Sequence, residues 1–247
     1  MKNIFPLLAA VLFTGCTHTI NFRSSHFASP LVEDQAGGGH VAAVGTAATK
    51  VTVVNNTGTN PPSVEPILIN ADVNTEDLFL INNVGLDGRI TVWKGLELFF
   101  DNSLLGARVQ ILNHGATANN WVAAIHGAFG NREVSDTNNY GSSSDESKSK
   151  VDTKQAGISV GYRYEKVAPY FSYINESHNV STTVKNNYGS FGPYESKGNH
   201  QYFSLGLTSV GSGFRYGIEY NKIIIDWEKA QHIENQDAIA LKAGIAW

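Results

Sequence analysis

Cysteine is almost missing from this chain: Cys16 stands alone among 247 residues. A disulfide framework within the chain and a cysteine-cluster metal site are both excluded. Charge is scarce as well. Eighteen Lys and Arg against twenty-two Asp and Glu leave a net charge of −4, without the basic surplus that a nucleic-acid partner demands. No stretch after residue 15 reaches the roughly 18 apolar residues of a membrane helix. There is no HExxH, no Walker loop and no dinucleotide-type glycine pattern. The glycines at 37–39 lack a preceding strand and a following Lys-Ser/Thr, so they make a poor phosphate loop. The eight histidines show no close metal-ligand spacing. No enzyme activity, metal or cofactor is therefore expected, and His178, His200 and His232, which approach outer loops, read as solvated.

What is present is apolar surface and glycine. Hydrophobic residues make up 42% of the chain and aromatic ones 11%, with 24 glycines, too rich for a disordered or collagen-like polymer. The length suits one large β domain. Lys2, the apolar run 4–13 and the small residues before Cys16 in LFTGC form an export signal. Its ending resembles the recognition box of bacterial lipoproteins, in which a small residue precedes a cysteine that becomes the lipidated N-terminus. It departs from the commonest form at Phe13, where Leu is usual. The alternative is an ordinary secretory signal cleaved nearby, leaving a free thiol. Acyl chains on Cys16 would anchor the chain to one leaflet. Residues 1–15 are the signal and 16–40 read as a flexible tether, although FRSSHF and SPLV carry apolar residues able to plug the domain.

From residue 41 to 247 the sequence breaks into period-2 or apolar segments rich in Val, Ile, Tyr and Thr, which favour strands. The expected strands are approximately 41–54, 76–85, 89–100, 104–112, 120–130, 154–164, 168–181, 201–210, 214–227 and 238–247. Ten strands are expected, with eight as the alternative. The polar connections 131–153 and 182–200 read as long mobile loops. Long and short connections nearly alternate, as in a membrane barrel with short periplasmic turns and longer outer loops.

Parity sharpens this reading. Ile90, Val92, Leu98 and Phe100 share a face against Arg89, Thr91 and Glu97. Ile158, Val160, Tyr162 and Tyr164 oppose Gly157, Ser159, Gly161 and Arg163. A soluble barrel would turn the bulky face inward; a transmembrane barrel turns it to lipid. The second face is rich in Gly and Ser and holds few charges, which favours the inverted, transmembrane arrangement. Trp121, Tyr164, Tyr216 and Trp247 then fall near periplasmic strand ends, with Phe100 and Phe129 near outer ends, all on the lipid face as interface aromatics. Trp227 has the wrong parity, unless the run 223–225 holds a bulge that resets the phase.

These hairpins, with the terminal Trp247 where Phe is usual, resemble a small outer-membrane β-barrel protein of Gram-negative bacteria. The resemblance implies an all-β, closed antiparallel transmembrane barrel, with both termini periplasmic. Its partners would be outer-membrane lipids and the barrel-assembly and lipoprotein-processing machinery, beside an extracellular ligand of unknown kind. Arg89, Glu97, Arg108, His126, Arg163, Arg215, Glu219 and Lys242 would point into the lumen, where charges must pair. Lys242 with Glu219 and Arg108 with Glu97 are the expected pairs, and five basic groups against two acidic ones leave a positive excess. A structural or surface-interaction role with a closed polar lumen follows; the alternative is a narrow channel for small polar or anionic solutes.

Overall fold

The computed structural model describes residues 17–33, 35–54, 56–63, 67–69, 83–114, 118–140, 143–228, 230 and 235–247. Cys16 and the signal, residues 76–82 of one expected strand and His232 lie outside the described residues. Thirteen strands are described: β1 (His18–Arg23), β2 (Gly39–Thr46), β3 (Ala48–Val54), β4 (Ile67–Ile69), β5 (Asn83–Trp93), β6 (Leu96–Asp101), β7 (Leu104–Leu112), β8 (Asn120–Tyr140), β9 (Ser143–Arg163), β10 (Val167–Asn186), β11 (Gly189–Ser209), β12 (Gly213–Trp227) and β13 (Gln236–Ala246). Ten of them, β2 and β5 to β13, form an antiparallel sheet whose hydrogen bonds run in a ring, a closed barrel sealed by pairing β13 with β2. The other three form a small sheet in the order β1-β3-β4.

Ten strands in the barrel match the expected number, but several boundaries differ. The segment 41–54 is two strands that part at Ala47: β2 belongs to the wall and β3 turns inside. The segment 89–100 is also two strands, split at Lys94–Gly95. Gly95 adopts φ +80° there, a left-handed conformation that glycine takes without a Cβ clash. Residues 86–88, expected as a connector, lie within β5. A register shift between Thr91 and Trp93 leaves Arg89, Thr91, Glu97 and Phe99 all buried and Ile90, Val92, Leu98 and Phe100 exposed.

The expected loops 131–153 and 182–200 are strands too. β8 and β9 stay paired up to Tyr140↔Ser143, and β10 and β11 up to Asn186↔Gly189. Their polar composition does not free the backbone, because each strand gives the other its hydrogen bonds and the inward residues Asp145, Ser147, Ser149, Thr182 and Val184 are buried. The wall is consequently uneven. At about 3.3 Å per residue, β8 to β11 rise far above the β6–β7 turn at Asn102–Ser103, leaving a low rim on that side.

The segment expected as a flexible tether is instead the filling of the barrel. β1 pairs with β3, and Ile20, Phe22, Val51 and Val53 pack against the inward residues Val151, Ile174, Val180, Ile223 and Trp227. The chain then runs down the lumen through residues 24–33 and leaves at the short-turn end, where Gly39 and Trp247 exchange backbone hydrogen bonds of 3.1 and 3.0 Å. Among the described residues, His18 lies against Ser149 at the tall end and Trp247 at the opposite one. Trp227 is buried inside, with the β11–β12 register unbroken through 223–225 to Trp227 itself; no bulge resets its phase.

A plugged lumen with two buried clusters

The lower lumen holds an ion-pair layer. Arg89 donates from Nε to Asp87 at 2.9 Å and from a terminal nitrogen to the Phe27 carbonyl at 2.7 Å. Arg108 donates to Glu97 at 3.1 Å, the hairpin pair anticipated from the sequence. Lys242 goes elsewhere than expected: it reaches Asp87 at 2.6 Å and His40 Nε2 at 2.9 Å. Glu219 accepts instead from Ser25 Oγ at 2.6 Å, from the Tyr170 hydroxyl at 2.6 Å and from the Phe27 amide at 3.3 Å. The register explains the exchange. Glu219 faces Ala240 while Lys242 faces Gly217, so Lys242 sits one inward step lower and leans across the closing seam.

All of these groups are buried, where an unpaired charge costs several kcal/mol, so the pairing decides whether the layer can exist. Among the described residues the buried cations are Arg23, Arg89, Arg108, Arg215 and Lys242, five in all; the buried carboxylates are Asp87, Glu97, Asp101, Asp145, Glu176 and Glu219, six in all. The expected positive excess is thus absent. Asp87 and Asp101 had been placed in connectors, and the plug supplies Arg23, which pairs with Asp101, and Glu33, which pairs with Arg215. Arg163 is only half-buried near the lower end of β9, and His126 packs its ring edge-on to Phe99 with centroids 6.1 Å apart.

A second cluster lies higher, level with the low rim. Glu176 and His178 are alternate residues of β10 and share its inward face. His200 and Tyr202 do the same on β11, and His26 approaches from the plug. His26 Nδ1 meets Asp101 Oδ2 at 2.7 Å, and His26 Nε2 lies 3.4 Å from Glu176 Oε2. His178 Nε2 lies 3.6 Å from that same oxygen. Tyr202 donates to it at 2.9 Å, and Trp227 Nε1 donates to His200 Nε2 at 3.0 Å. His178 and His200, expected as solvated, are among the most buried side chains of the molecule. The alternation Tyr170, Ser172, Ile174, Glu176, His178 along 168–181 was the available sign that Glu176 and His178 face one way.

Small inward residues make room for the large ones. A Cβ on Gly206 would lie 2.2 Å from the Tyr170 ring, and one on Gly198 would lie 2.2 Å from the Trp227 ring. The glycines of the inner face are thus beds for neighbouring aromatics that carry the clusters. On the outer face all six anticipated aromatics are exposed. Trp121, Tyr164, Tyr216 and Trp247 gather at the short-turn end. Phe100 lies beside the β6–β7 turn, and Phe129, expected at a strand end, sits midway along β8, opposite Leu105.

Chemically, the lower layer pairs Arg89, Arg108 and Lys242 with Asp87 and Glu97, while Glu219 and Arg89 tie Ser25 and Phe27 to the wall. The upper cluster gathers imidazole and carboxylate groups whose ligand atoms are not all engaged. No protein-family model matches the chain, and no curated protein matches it in sequence.

Proposed function

We propose that this chain is an outer-membrane β-barrel lipoprotein of a Gram-negative bacterium, with a closed lumen and a structural or surface-interaction role. One observation carries the reading: the outward residues of the long strands change character at a common level. On β9 they read Ser144, Glu146, Lys148, Lys150, Asp152 and Lys154, then Ala156, Ile158, Val160 and Tyr162. On β11 they read Glu195, Lys197, Asn199 and Gln201, then Phe203, Leu205 and Leu207. Below that level, large apolar side chains such as Trp121, Ile125, Phe129, Leu205, Phe214, Ile218 and Leu241 stand exposed, while charged ones are buried inside. A water-soluble monomer rarely exposes a continuous apolar surface beyond a few hundred Å², whereas a lipid-facing band flanked by aromatics needs one. From Trp121 to Phe129, the apolar stretch of β8 has the 9–11-residue length of a strand crossing hydrocarbon.

In this reading the short turns and Trp247 face the periplasm, and the β8–β9 and β10–β11 hairpins stand outside the cell as the surface available to partners. The partners on the membrane side are outer-membrane lipids, the barrel-assembly machinery and, for Cys16, the lipoprotein-processing enzymes. The plug argues against conduction.

Heat-modifiable migration after detergent extraction tests the barrel in the membrane: unboiled protein should run differently from boiled protein and should fractionate with outer membranes. Extraction as a soluble monomer with identical migration would sink the proposal. Planar bilayers should show no reproducible openings, and Cys16→Ser (C16S) should abolish acyl labelling.

A further inference from the structure

Glu176 Oε2 on β10 lies within 3.6 Å of two buried imidazole nitrogens, His178 Nε2 on the same strand and His26 Nε2 on the plug. We propose that these three side chains bind a divalent transition metal of the zinc class, which would clasp the plug to the wall. Two independent features point to a ligand. The distances from Glu176 Oε2 to the two imidazole nitrogens, 3.4 Å for His26 Nε2 and 3.6 Å for His178 Nε2, are close to the edge of a tetrahedron. Bonds of about 2.0–2.1 Å place neighbouring ligand atoms about 3.3 Å apart. Both Nε2 atoms are buried and make no hydrogen bond, the Glu176 oxygen being their charged neighbour; a buried polar atom left in that state is one that an ion would satisfy.

The outer contacts fit the same assignment. Asp101 engages His26 Nδ1 at 2.7 Å and Thr153 engages His178 Nδ1 at 3.0 Å. The Asp101 carboxylate holds the proton on His26 Nδ1 and leaves Nε2 with its lone pair, and the Thr153 hydroxyl can accept from His178 Nδ1 in the same way, the arrangement that orients metal-bound histidines. His200 also brings a ring nitrogen within 4.8 Å of the ligand atoms of Glu176 and His178. Its Nε2 is occupied by the Trp227 indole N–H, so the clasp uses His26 as third ligand. Two imidazoles and one carboxylate suit zinc and its first-row neighbours, not calcium or magnesium, which take all-oxygen shells. A cavity of about 30 Å³, bordered by Asp101, Ser103 and Arg132, has room for a water in the fourth position. It reaches the low rim at the β6–β7 turn, which gives the ion an entry path.

The test is a titration of full-length, chelator-stripped protein in detergent with Co²⁺, read by visible absorption, and competition with Zn²⁺. One equivalent should bind with the intense absorption of a tetrahedral site. His26→Gln, Glu176→Gln and His178→Gln should each remove it, and Asp101→Asn, which changes no ligand, should weaken affinity by about 10–100-fold. His200→Gln should retain the tetrahedral signal. Circular dichroism on every variant separates loss of the site from loss of the fold, and Asp101→Asn keeps the question open to refutation where a ligand variant unfolds. The proposal is overturned if folded wild-type protein takes up no Co²⁺. It is equally overturned if His26→Gln binds as tightly as wild type.

Discussion

The lower half of the lumen is walled by all ten strands and the upper half by the tall ones, with the same alternation, yet the two halves are held together differently. Above the low rim, inward Val151, Val180, Val184, Ile223 and Trp227 meet Ile20, Phe22, Val51 and Val53 in a core like that of a soluble protein. Below it, the inward charged layer of Asp87, Arg89, Glu97, Arg108, Glu219 and Lys242 meets Ser25 and Phe27, which offer a hydroxyl and backbone groups. The difference lies in what the plug brings to each height. Strand segments with branched apolar residues face an apolar wall; an irregular segment with unpaired backbone groups faces a charged one. Plug and wall are complementary level by level, so the lumen is one folded interior rather than a pore that a tether happens to enter.

The sharpest way to break that comparison is to remove charge from the lower half. Arg108→Met leaves Glu97 buried without its main partner and should cost about 3–5 kcal/mol. Glu97→Leu added to it should restore much of the loss, because two well-packed apolar groups replace a desolvated pair. Denaturant unfolding followed by tryptophan fluorescence measures both. If the double variant is no more stable than the single one, the lower half needs its charges for more than mutual neutralisation.

The matching experiment above the rim is Ile20→Ala, in a residue with no exposed surface. Deleting a buried aliphatic group should cost about 2–5 kcal/mol and leave a cavity. No second substitution of an ionic kind should compensate it. The two halves would then differ in kind: one is repaired by removing the partner and the other only by refilling volume. A loss well under 1 kcal/mol would mean that β1 is held by its ladder to β3 alone, and that the upper core adds little.

How much of this was legible follows from where each partner sits along the chain. Outward alternation and the Glu97–Arg108 pair were readable, because a hairpin brings neighbours in sequence together in space. The partner of Lys242 was not: it is reached across the β13–β2 closure, and only the closed ring shows that Asp87 is near. Glu176 and His178 could be placed on one face by parity, but nothing in period 2 says that residue 26 will meet them. The hairpins beyond 131 and 182 were misread because strand signals rely on contrast between faces. There, both faces are polar: one meets solvent, while Asp145 and Ser149 hydrogen-bond to Thr57 and His18 of the inner segments.

The smallest effect concerns the border between the two environments and depends on pH. His18 is fully buried on β1 and its Nε2 meets Ser149 Oγ at 2.9 Å. Burial holds this imidazole below its ordinary value, with Asp136 opposing more weakly. The folded chain therefore takes up a proton at His18 less readily than the unfolded chain, whose histidine titrates near about 6.5. Stability from this residue is fully present above that value and falls as pH drops below it. His18→Gln keeps a polar partner for Ser149 but cannot titrate. Between about pH 7.5 and 5 the unfolding midpoint of wild type should fall further than that of His18→Gln, even if the variant is slightly less stable at the upper pH. Parallel curves would place protons on His18 as easily in the fold as outside it, and the apolar half would then be more open to water than the packing around Ile20 and Val51 implies.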